Sequence, residues 1–169
     1  YAPKGIGALY IRGGISIEPL IHGAGHESGR RAGTENIVFD VALAKACEIA
    51  GKELKNDHVK QITEYFYTRL KETLGSSIKL NGHPEKKLPN TLNVSFLGHN
   101  GHEILNSLGD VAASTGSACH SGLSTISPVL KAMGVSEDVG RGAVRFSLGR
   151  YSTKDEIDKV LGRLSNIRG

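Results

Sequence analysis

The sequence predicts a mixed chain, α/β or α+β, because segments with strand-like alternation are interleaved with segments that carry a helical apolar stripe. The 169 residues are 38% hydrophobic, which is typical of a folded protein with one ordinary core or slightly more. No apolar stretch approaches the roughly 20 residues that a membrane span needs. The N-terminus YAPKGIGALY lacks the features of a signal peptide. We therefore expect an intracellular chain, cytoplasmic or within an organelle, that does not associate with a membrane.

The composition argues against nucleic acid as a partner. The formal net charge is +4, from 21 lysines and arginines against 17 aspartates and glutamates. The basic residues are scattered, however, and aromatic residues make up only 5% of the chain. The two cysteines, Cys47 and Cys119, form neither a metal-ligand spacing nor a disulfide framework. We expect two reduced thiols and no metal site.

The first part of the chain predicts two strands, a loop and a helix. The strands are IGALYIR at 6–12 and ISIEPLIHG at 15–23, separated by the turn signal RGG. A glycine-rich loop, GAGHESGRRAGTEN, follows at 23–36 and leads into a helix-forming segment at 37–54.

The later part predicts a compact unit of strands and helices. A second long helix follows from an apolar stripe at three- and four-residue steps, closed by a glycine: Val59, Ile62, Phe66, Leu70, Leu74 and Gly75. The elements after it are strands at 77–82 and 91–98, a helix at 102–108, a short helix from Pro128, and a strand at 143–149. A capping box, Thr153 to Glu156, opens a terminal helix whose predicted buried face is Ile157, Val160, Leu161, Leu164 and Ile167.

The first candidate site is the glycine-rich loop. Its glycines permit close backbone approach, and the free N–H groups and positive dipole end of a helix N-terminus attract an anion. Thr34 adds a hydroxyl, and Arg30 or Arg31 adds charge. The alternative is a plain helix N-cap beside solvated arginines. The glycine spacing matches neither a dinucleotide-binding motif nor a P-loop.

The second candidate is Arg145 in AVRFSLG. Alternation along the predicted strand places three apolar residues on one face and Arg145 with Ser147 on the other. A guanidinium on that face can bind a substrate carboxylate as a planar fork. The alternative is an arginine that points into solvent from a half-exposed sheet.

The third candidate is Cys119 in STGSACHSG. A cysteine kept for packing typically lies within an apolar run, as Cys47 does in VALAKACEIA. Cys119 instead lies among small and turn-forming residues, where a thiol is accessible and its nucleophilic thiolate form can be favoured. Adjacency does not make His120 its base, because consecutive side chains often diverge. From the residues alone, a functional role and simple exposure remain equally open.

Five motifs follow one another along nearly the whole chain: YAPKGIGALYIR, HGAGHESGRRAGTEN, LPNTLNVSF, STGSACHS and VRFSLGR. Together they resemble the C-terminal part of the cysteine desulfurases and selenocysteine lyases, which depend on pyridoxal phosphate. The resemblance implies an aspartate aminotransferase-like fold (fold type I) and a homodimer. It also implies removal of sulfur or selenium from L-cysteine or L-selenocysteine, which leaves alanine.

The resemblance further implies a role for each candidate residue. Cys119 takes the position of the nucleophile that attacks the substrate's sulfur and carries it as a persulfide, available to a sulfur-acceptor protein. Arg145 takes the position that binds the substrate carboxylate. Thr34 takes the position that reaches the phosphate of pyridoxal phosphate in the partner subunit. Family members that dock an iron–sulfur scaffold have a longer tail than the few residues between the last predicted helix and Gly169. The resemblance therefore gives no expectation of scaffold docking.

The family pattern also predicts the domain organisation. In the family, the lysine that holds the cofactor as a Schiff base lies in a His-Lys pair just ahead of the motif that reads YAPKG here, so Lys4 is not that lysine. We expect residues 1–54 to be the end of the large cofactor-binding domain. Residues 55–169 are expected to be the small C-terminal domain with the cysteine loop. By itself, such a fragment would be inactive.

Two departures from the family pattern bear on the loop and on the substrate. Ala24 in HGAGHE stands where the family usually has glycine. His120 stands where many desulfurases carry threonine, which resembles the selenocysteine lyases, whereas GRRAGTEN is closer to the desulfurases. We favour a cysteine desulfurase, with a selenocysteine lyase as the first alternative and a non-catalytic interaction module as the second.

Overall fold

The computed structural model describes residues 1–115 and 126–167. The chain divides into two compact units, a first unit at Tyr1–Asn56 and a second unit at Asp57–Gly169. The division falls two residues from the expected boundary. That the two units are the end of a large domain and a small C-terminal domain stays a prediction.

The first unit consists of irregular chain followed by one helix. Residues 6–12 and 15–23 form no strand, so the prediction of two short strands is wrong. The turn between them is present, because the Ile15 N–H donates to the Arg12 carbonyl at 3.2 Å. A strand needs a neighbour that satisfies its backbone groups. Among the described residues, no segment forms a ladder with either of these two.

The helix of the first unit, α1, spans Ile37–Glu53 and agrees with the prediction. Asn36 is its N-cap, and the Asn36 side chain accepts a hydrogen bond from the backbone N–H three residues on, at 3.2 Å. No residue of α1 is buried, and Val38 is 75% exposed. Cys47 is also exposed, which corrects the expectation that it packs in an apolar interior. Its sequence neighbours are apolar, but they lie on a helix that has no buried residue.

The second unit contains a three-stranded antiparallel sheet with the strand order β1-β2-β3. The strands are β1 (Ile78–Leu80), β2 (Thr91–Phe96) and β3 (Ala143–Ser147). The helices are α2 (His58–Leu74), α3 (Gly101–Leu108), α4 (Pro128–Ala132), α5 (Glu137–Arg141) and α6 (Lys154–Leu164). All of these except α5 are predicted from the sequence. No helix in the described part of the chain is long and apolar enough to cross a membrane.

One face of the sheet packs against helices to form the core. The Phe66 ring from α2 meets the Phe146 ring from β3 edge to face, with centroids 5.1 Å apart. The predicted faces of α2 and α6 are confirmed, because their apolar stripes are buried or packed against the core. The buried core residues are Ile62, Phe66, Leu70, Leu74, Leu92, Val94, Phe96, Ile104, Leu108, Val144, Phe146, Leu148, Ile157, Leu161 and Leu164.

Helix ends in the second unit follow local sequence signals. Thr153 and Glu156 form the predicted capping box, in which the Thr153 side chain accepts from the Glu156 N–H and the Glu156 carboxylate accepts from the Thr153 N–H. Gly75 ends α2 with a φ of 55°, a conformation that glycine adopts without strain. A tertiary contact explains why residue 142, just after α5, is glycine: a Cβ there would overlap the Phe96 carbonyl oxygen.

Candidate functional site

The three predicted site residues lie in different parts of the chain. Thr34 belongs to the first unit and Arg145 to the second. Cys119 lies outside the described residues. The described structure therefore places two of the three.

Arg145 lies on the sheet face opposite the core, as its alternation with buried Val144 and Phe146 predicts. Its side chain is exposed. With residues 1–115 and 126–167, the guanidinium forms no hydrogen bond or ion pair. Within the described residues, no side chain or backbone group competes with a ligand for this guanidinium. An exposed guanidinium fork without a carboxylate partner suits a planar carboxylate.

The backbone of Arg145 pairs with Ser114. The Arg145 N–H donates to the Ser114 carbonyl at 2.6 Å, and the Ser114 N–H donates to the Arg145 carbonyl at 3.1 Å, forming an isolated antiparallel bridge. The motif with Cys119 begins at Ser114, so the fold attaches the start of that motif to the edge of β3. In the sequence, 26 positions separate Cys119 from Arg145. No local sequence pattern predicts that Ser114 lies beside Arg145.

A network of polar side chains shares the sheet face of Arg145. The Asn81 Nδ2 donates to the Asn93 Oδ1 at 2.9 Å and to the Ser95 Oγ at 2.8 Å. Asn93 is the cross-strand partner of Arg145. Ser95 is fully buried and Asn81 is 8% exposed, so the inner side of the network is shielded from solvent. The motif LPNTLNVSF contributes to the family resemblance, but it does not by itself indicate a role for Asn93. The only available signal was the polar alternation N-x-S within β2.

The glycine-rich loop of the first unit holds two residues in a strained conformation. Glu27 and Ser28 have φ values of 52° and 57°, the only positive values among the described non-glycine residues. Ala24 therefore has no positive φ, so the departure from the family's glycine there requires no backbone strain. Gly23 does need to be glycine, because a Cβ at its φ of 151° would lie 2.9 Å from the Ala32 Cβ.

A side-chain contact joins the two ends of this loop. The His26 Nδ1 lies 3.1 Å from the Glu35 Oε1. A backbone hydrogen bond, followed by the His26 imidazole, lowers the pKa of the Glu35 carboxyl below its ordinary value. Glu35 immediately follows Thr34, so the contact restrains the chain that carries the Thr34 hydroxyl.

The surroundings of Thr34 fit a phosphate. Thr34 is exposed, and its hydroxyl does not cap α1, because Asn36 does. The Arg31 guanidinium folds over the adjacent Gly33, where a Cβ would lie 3.4 Å from the Arg31 Nη1. A hydroxyl, a guanidinium and a helix N-terminus are typical phosphate donors. Among the described residues, no cluster of three or more His, Cys, Asp or Glu could hold a metal ion.

The family model for class-V aminotransferases matches residues 1–160. The chain belongs to the class-V aminotransferase family. Among its curated relatives, cysteine desulfurase 2 of Trichormus variabilis is 49% identical over 166 residues, which covers 95% of this chain and 41% of the relative. Cysteine desulfurase IscS of Dictyoglomus turgidum is 40% identical over 171 residues, which covers 99% of this chain and 43% of the relative. The chain thus spans about two fifths of the length of these relatives.

Solved structures agree with the family assignment. A NifS-like protein superposes with a TM-score of 0.76 at 35% identity, covering 94% of this chain and 40% of that protein. The structure described as SspA in complex with cysteine superposes with a TM-score of 0.52 at 30% identity, covering 81% of this chain and 37% of that protein. The expected α/β class and aminotransferase-like fold are confirmed.

Proposed function

We propose that the full-length protein containing this chain is a pyridoxal-phosphate-dependent cysteine desulfurase, which removes sulfur from L-cysteine and leaves L-alanine. The observation that best supports this function is the backbone pairing of Ser114 with Arg145. It attaches the start of the motif with the candidate nucleophile beside the candidate carboxylate-binding side chain. The identity to curated cysteine desulfurases, 49% and 40%, supports the same reaction.

Arg145 binds the substrate's α-carboxylate in this proposal. Its guanidinium is exposed on the face of the antiparallel sheet opposite the core and has no competing partner among the described residues. A charge-assisted, bidentate contact of this kind contributes about 1.5–3 kcal/mol. A substrate fixed by its carboxylate presents its sulfur in one direction, which raises the effective concentration of sulfur at a nearby nucleophile.

Cys119 supplies the nucleophile. It follows Ser114 by five residues in the sequence, and five residues of extended chain reach at most about 18 Å. The thiol is therefore tethered to the edge of the sheet that carries Arg145. The thiolate attacks the substrate sulfur: a sulfur–sulfur bond forms and the carbon–sulfur bond breaks. The electron pair stays with the substrate carbon, which takes up a proton and becomes the methyl group of alanine.

Pyridoxal phosphate, when bound, supplies the electron sink that this reaction needs. Class-V aminotransferases and cysteine desulfurases depend on this cofactor, and the residues around Thr34 suit its phosphate. We propose that Thr34 binds that phosphate, across the interface of a homodimer. The two units then correspond to the end of the large domain and the small domain. The persulfide on Cys119 passes its sulfur to an acceptor protein.

The proposal is tested by alanine release from L-cysteine and L-selenocysteine in the full-length protein. We expect Cys119→Ala to abolish release from cysteine, whose sulfur leaves poorly, and to retain much of the release from selenocysteine. Arg145→Ala should raise the KM for cysteine roughly ten- to a hundredfold, with the cofactor content unchanged.

Two variants serve as controls for this experiment. Cys47→Ala removes the other cysteine, which is exposed on α1, and Arg141→Ala removes an exposed arginine close to β3. Both should behave as the wild type. A Cys119→Ala protein that desulfurates cysteine at the wild-type rate would refute the mechanism. A wild type active on selenocysteine alone would identify a selenocysteine lyase.

A further inference from the structure

We propose that Asn93 is a second carboxylate-binding residue, which donates from its side-chain amide to the same carboxylate as Arg145. This inference rests on the proposed function and deepens it. It assigns a specificity-determining role to a residue of β2. It starts from two side-chain donors on neighbouring strands, neither of which has an acceptor among the described residues.

The register of the sheet brings Asn93 and Arg145 together. They are cross-strand partners in the antiparallel pairing of β2 with β3. Both backbone hydrogen-bonding groups of Arg145 are directed to Ser114, on the opposite side of β3 from Asn93. Asn93 and Arg145 therefore form a non-hydrogen-bonded pair, the type in which facing residues come closest, with Cα atoms about 4.5 Å apart.

The amide of Asn93 is held in one orientation by its neighbours. Its Oδ1 accepts from the Asn81 Nδ2, and Asn81 is itself bonded to the buried Ser95. The Asn81 N–H also donates to the Asn93 carbonyl at 2.9 Å, so backbone and side chain restrain the same pair. The Asn93 oxygen is therefore engaged, and its Nδ2 has no acceptor within residues 1–115 and 126–167.

Both donors are unused within the described residues. Neither the Asn93 Nδ2 nor the Arg145 guanidinium forms a hydrogen bond with residues 1–115 or 126–167. A half-buried neutral amide beside an exposed guanidinium is a donor set for an anion with two oxygens. The neutral amide adds a directional bond without adding charge repulsion against Arg145, so the pair suits one carboxylate.

One acceptor in this network has no partner within the described residues. The Asn81 Oδ1 is buried and has no hydrogen-bond partner among the described residues, and an unsatisfied buried acceptor is unfavourable for folding. In this proposal, the Asn81 amide nitrogen is nonetheless required, because it orients the Asn93 side chain. The unsatisfied Asn81 oxygen lowers the stability of the fold, while the Asn81 amide holds the Asn93 donor in one orientation. Such local losses of stability are common at binding sites.

The test compares Asn93→Asp with Thr91→Asp in the full-length holoenzyme. Asn93→Asp keeps the oxygen that faces Asn81, but it replaces the amide donor with a carboxylate that competes for Arg145. Thr91→Asp places the same charge on the same strand and face, where its cross-strand partner is Ser147. We expect the KM for L-cysteine to rise at least thirtyfold in Asn93→Asp and less than threefold in Thr91→Asp, with kcat changed less than threefold in both.

A second measurement is independent of turnover. L-alanine and L-alaninamide, which lacks the carboxylate, are titrated by ligand-observed NMR. Asn93→Asp should weaken alanine binding at least tenfold relative to Thr91→Asp and leave alaninamide binding unchanged. If Asn93→Asp does not fold, Asn93→Ser is compared with Thr91→Ser in the same titrations, with a threefold weakening of alanine binding expected only for Asn93→Ser.

The outcomes separate the two proposals. Equal effects of the Asn93 and Thr91 variants, in a wild type that releases alanine from cysteine, overturn the role of Asn93 and leave the function standing. Equal losses of alanine and alaninamide binding in Asn93→Asp also overturn it, because a structural defect would weaken both. A wild type that neither binds alanine nor releases it overturns the function and the inference together.

Discussion

The two units of the chain use their apolar residues in opposite ways. In the second unit, fifteen apolar side chains form one buried cluster, and they come from β2, β3, the adjoining Leu148 and the helices α2, α3 and α6. In the first unit, Ala32 is the only buried hydrophobic residue among those described. The helix α1 has 17 residues and none buried, whereas the 11-residue α6 has three buried residues.

The difference shows that helix formation and helix packing are separate properties. The α1 sequence is rich in alanine and carries a good N-cap, so its helical conformation is favoured locally. The stability of α6 comes mainly from the apolar face that it buries. Leu20 is 96% exposed and Val38 75% exposed. Among the described residues, the apolar side chains of the first unit are therefore largely left unburied.

The largest expected difference between the two units is in the stability lost when an apolar side chain is truncated. Leu70→Ala deletes a side chain that is 0% exposed in the core of the second unit, and it should lower the free energy of unfolding by about 2–5 kcal/mol. The matched variant Val38→Ala in α1 should change it by less than about 0.5 kcal/mol. Urea titrations followed by circular dichroism measure both. Equal losses in the two variants would show that α1 is packed as tightly as α2.

A smaller effect is expected from the helix caps. Thr153→Ala removes the capping box of α6, and the free energy of unfolding of the second unit should fall by about 1 kcal/mol. Asn36→Ala removes the cap of α1. It should lower the helical signal at 222 nm and leave the unfolding transition of the second unit in place. A shift of that transition by Asn36→Ala would mean that the two units unfold together.

The smallest effect is a pH dependence. Arg163 on α6 donates to Asp110 and to the Leu108 carbonyl, and this contact lowers the pKa of the Asp110 carboxyl below its ordinary 3.8. A lowered folded-state pKa stabilises the fold above pH 3.8, and the contribution is lost as the pH falls through the folded-state value. Asp110→Asn should therefore lower the urea midpoint slightly at pH 6, with the difference disappearing at acid pH. The contact is solvent-exposed, so the change is small.

The comparable carboxyl in the first unit provides the control. The pKa of Glu35 is also lowered, by a backbone hydrogen bond and His26. Glu35→Gln should leave the urea midpoint of the second unit unchanged at both pH values, because no core residue depends on it. The comparison would be contradicted if Glu35→Gln shifted the urea midpoint of the second unit. It would also be contradicted if Asp110→Asn left that midpoint unchanged at pH 6.

Most elements of the second unit could be predicted because their signals are local. The apolar stripe of α2, the capping box of α6 and the alternation in β3 each occupy a few consecutive residues. The helix α5 was missed because it is only five residues long and includes Gly140. That glycine is explained by a distant contact, since a Cβ there would overlap the Ile126 side chain. The strands predicted at 6–12 and 15–23 failed for the converse reason: their alternation is local, but a strand exists only beside another.

For the candidate site, the sequence by itself determined residue types and faces. It placed Arg145 on the polar face of β3, and the five motifs indicated the family. Only the tertiary structure decided which residues adjoin Arg145, namely Asn93 on one side and Ser114 on the other. The physical reason is that strand register depends on how β2, β3 and the 111–115 segment pack across the shared core. The alternation excludes a slip of one residue, because it would turn every side chain to the opposite face. A slip of two residues keeps the faces and changes every cross-strand partner, so no local pattern reports which partner Arg145 has.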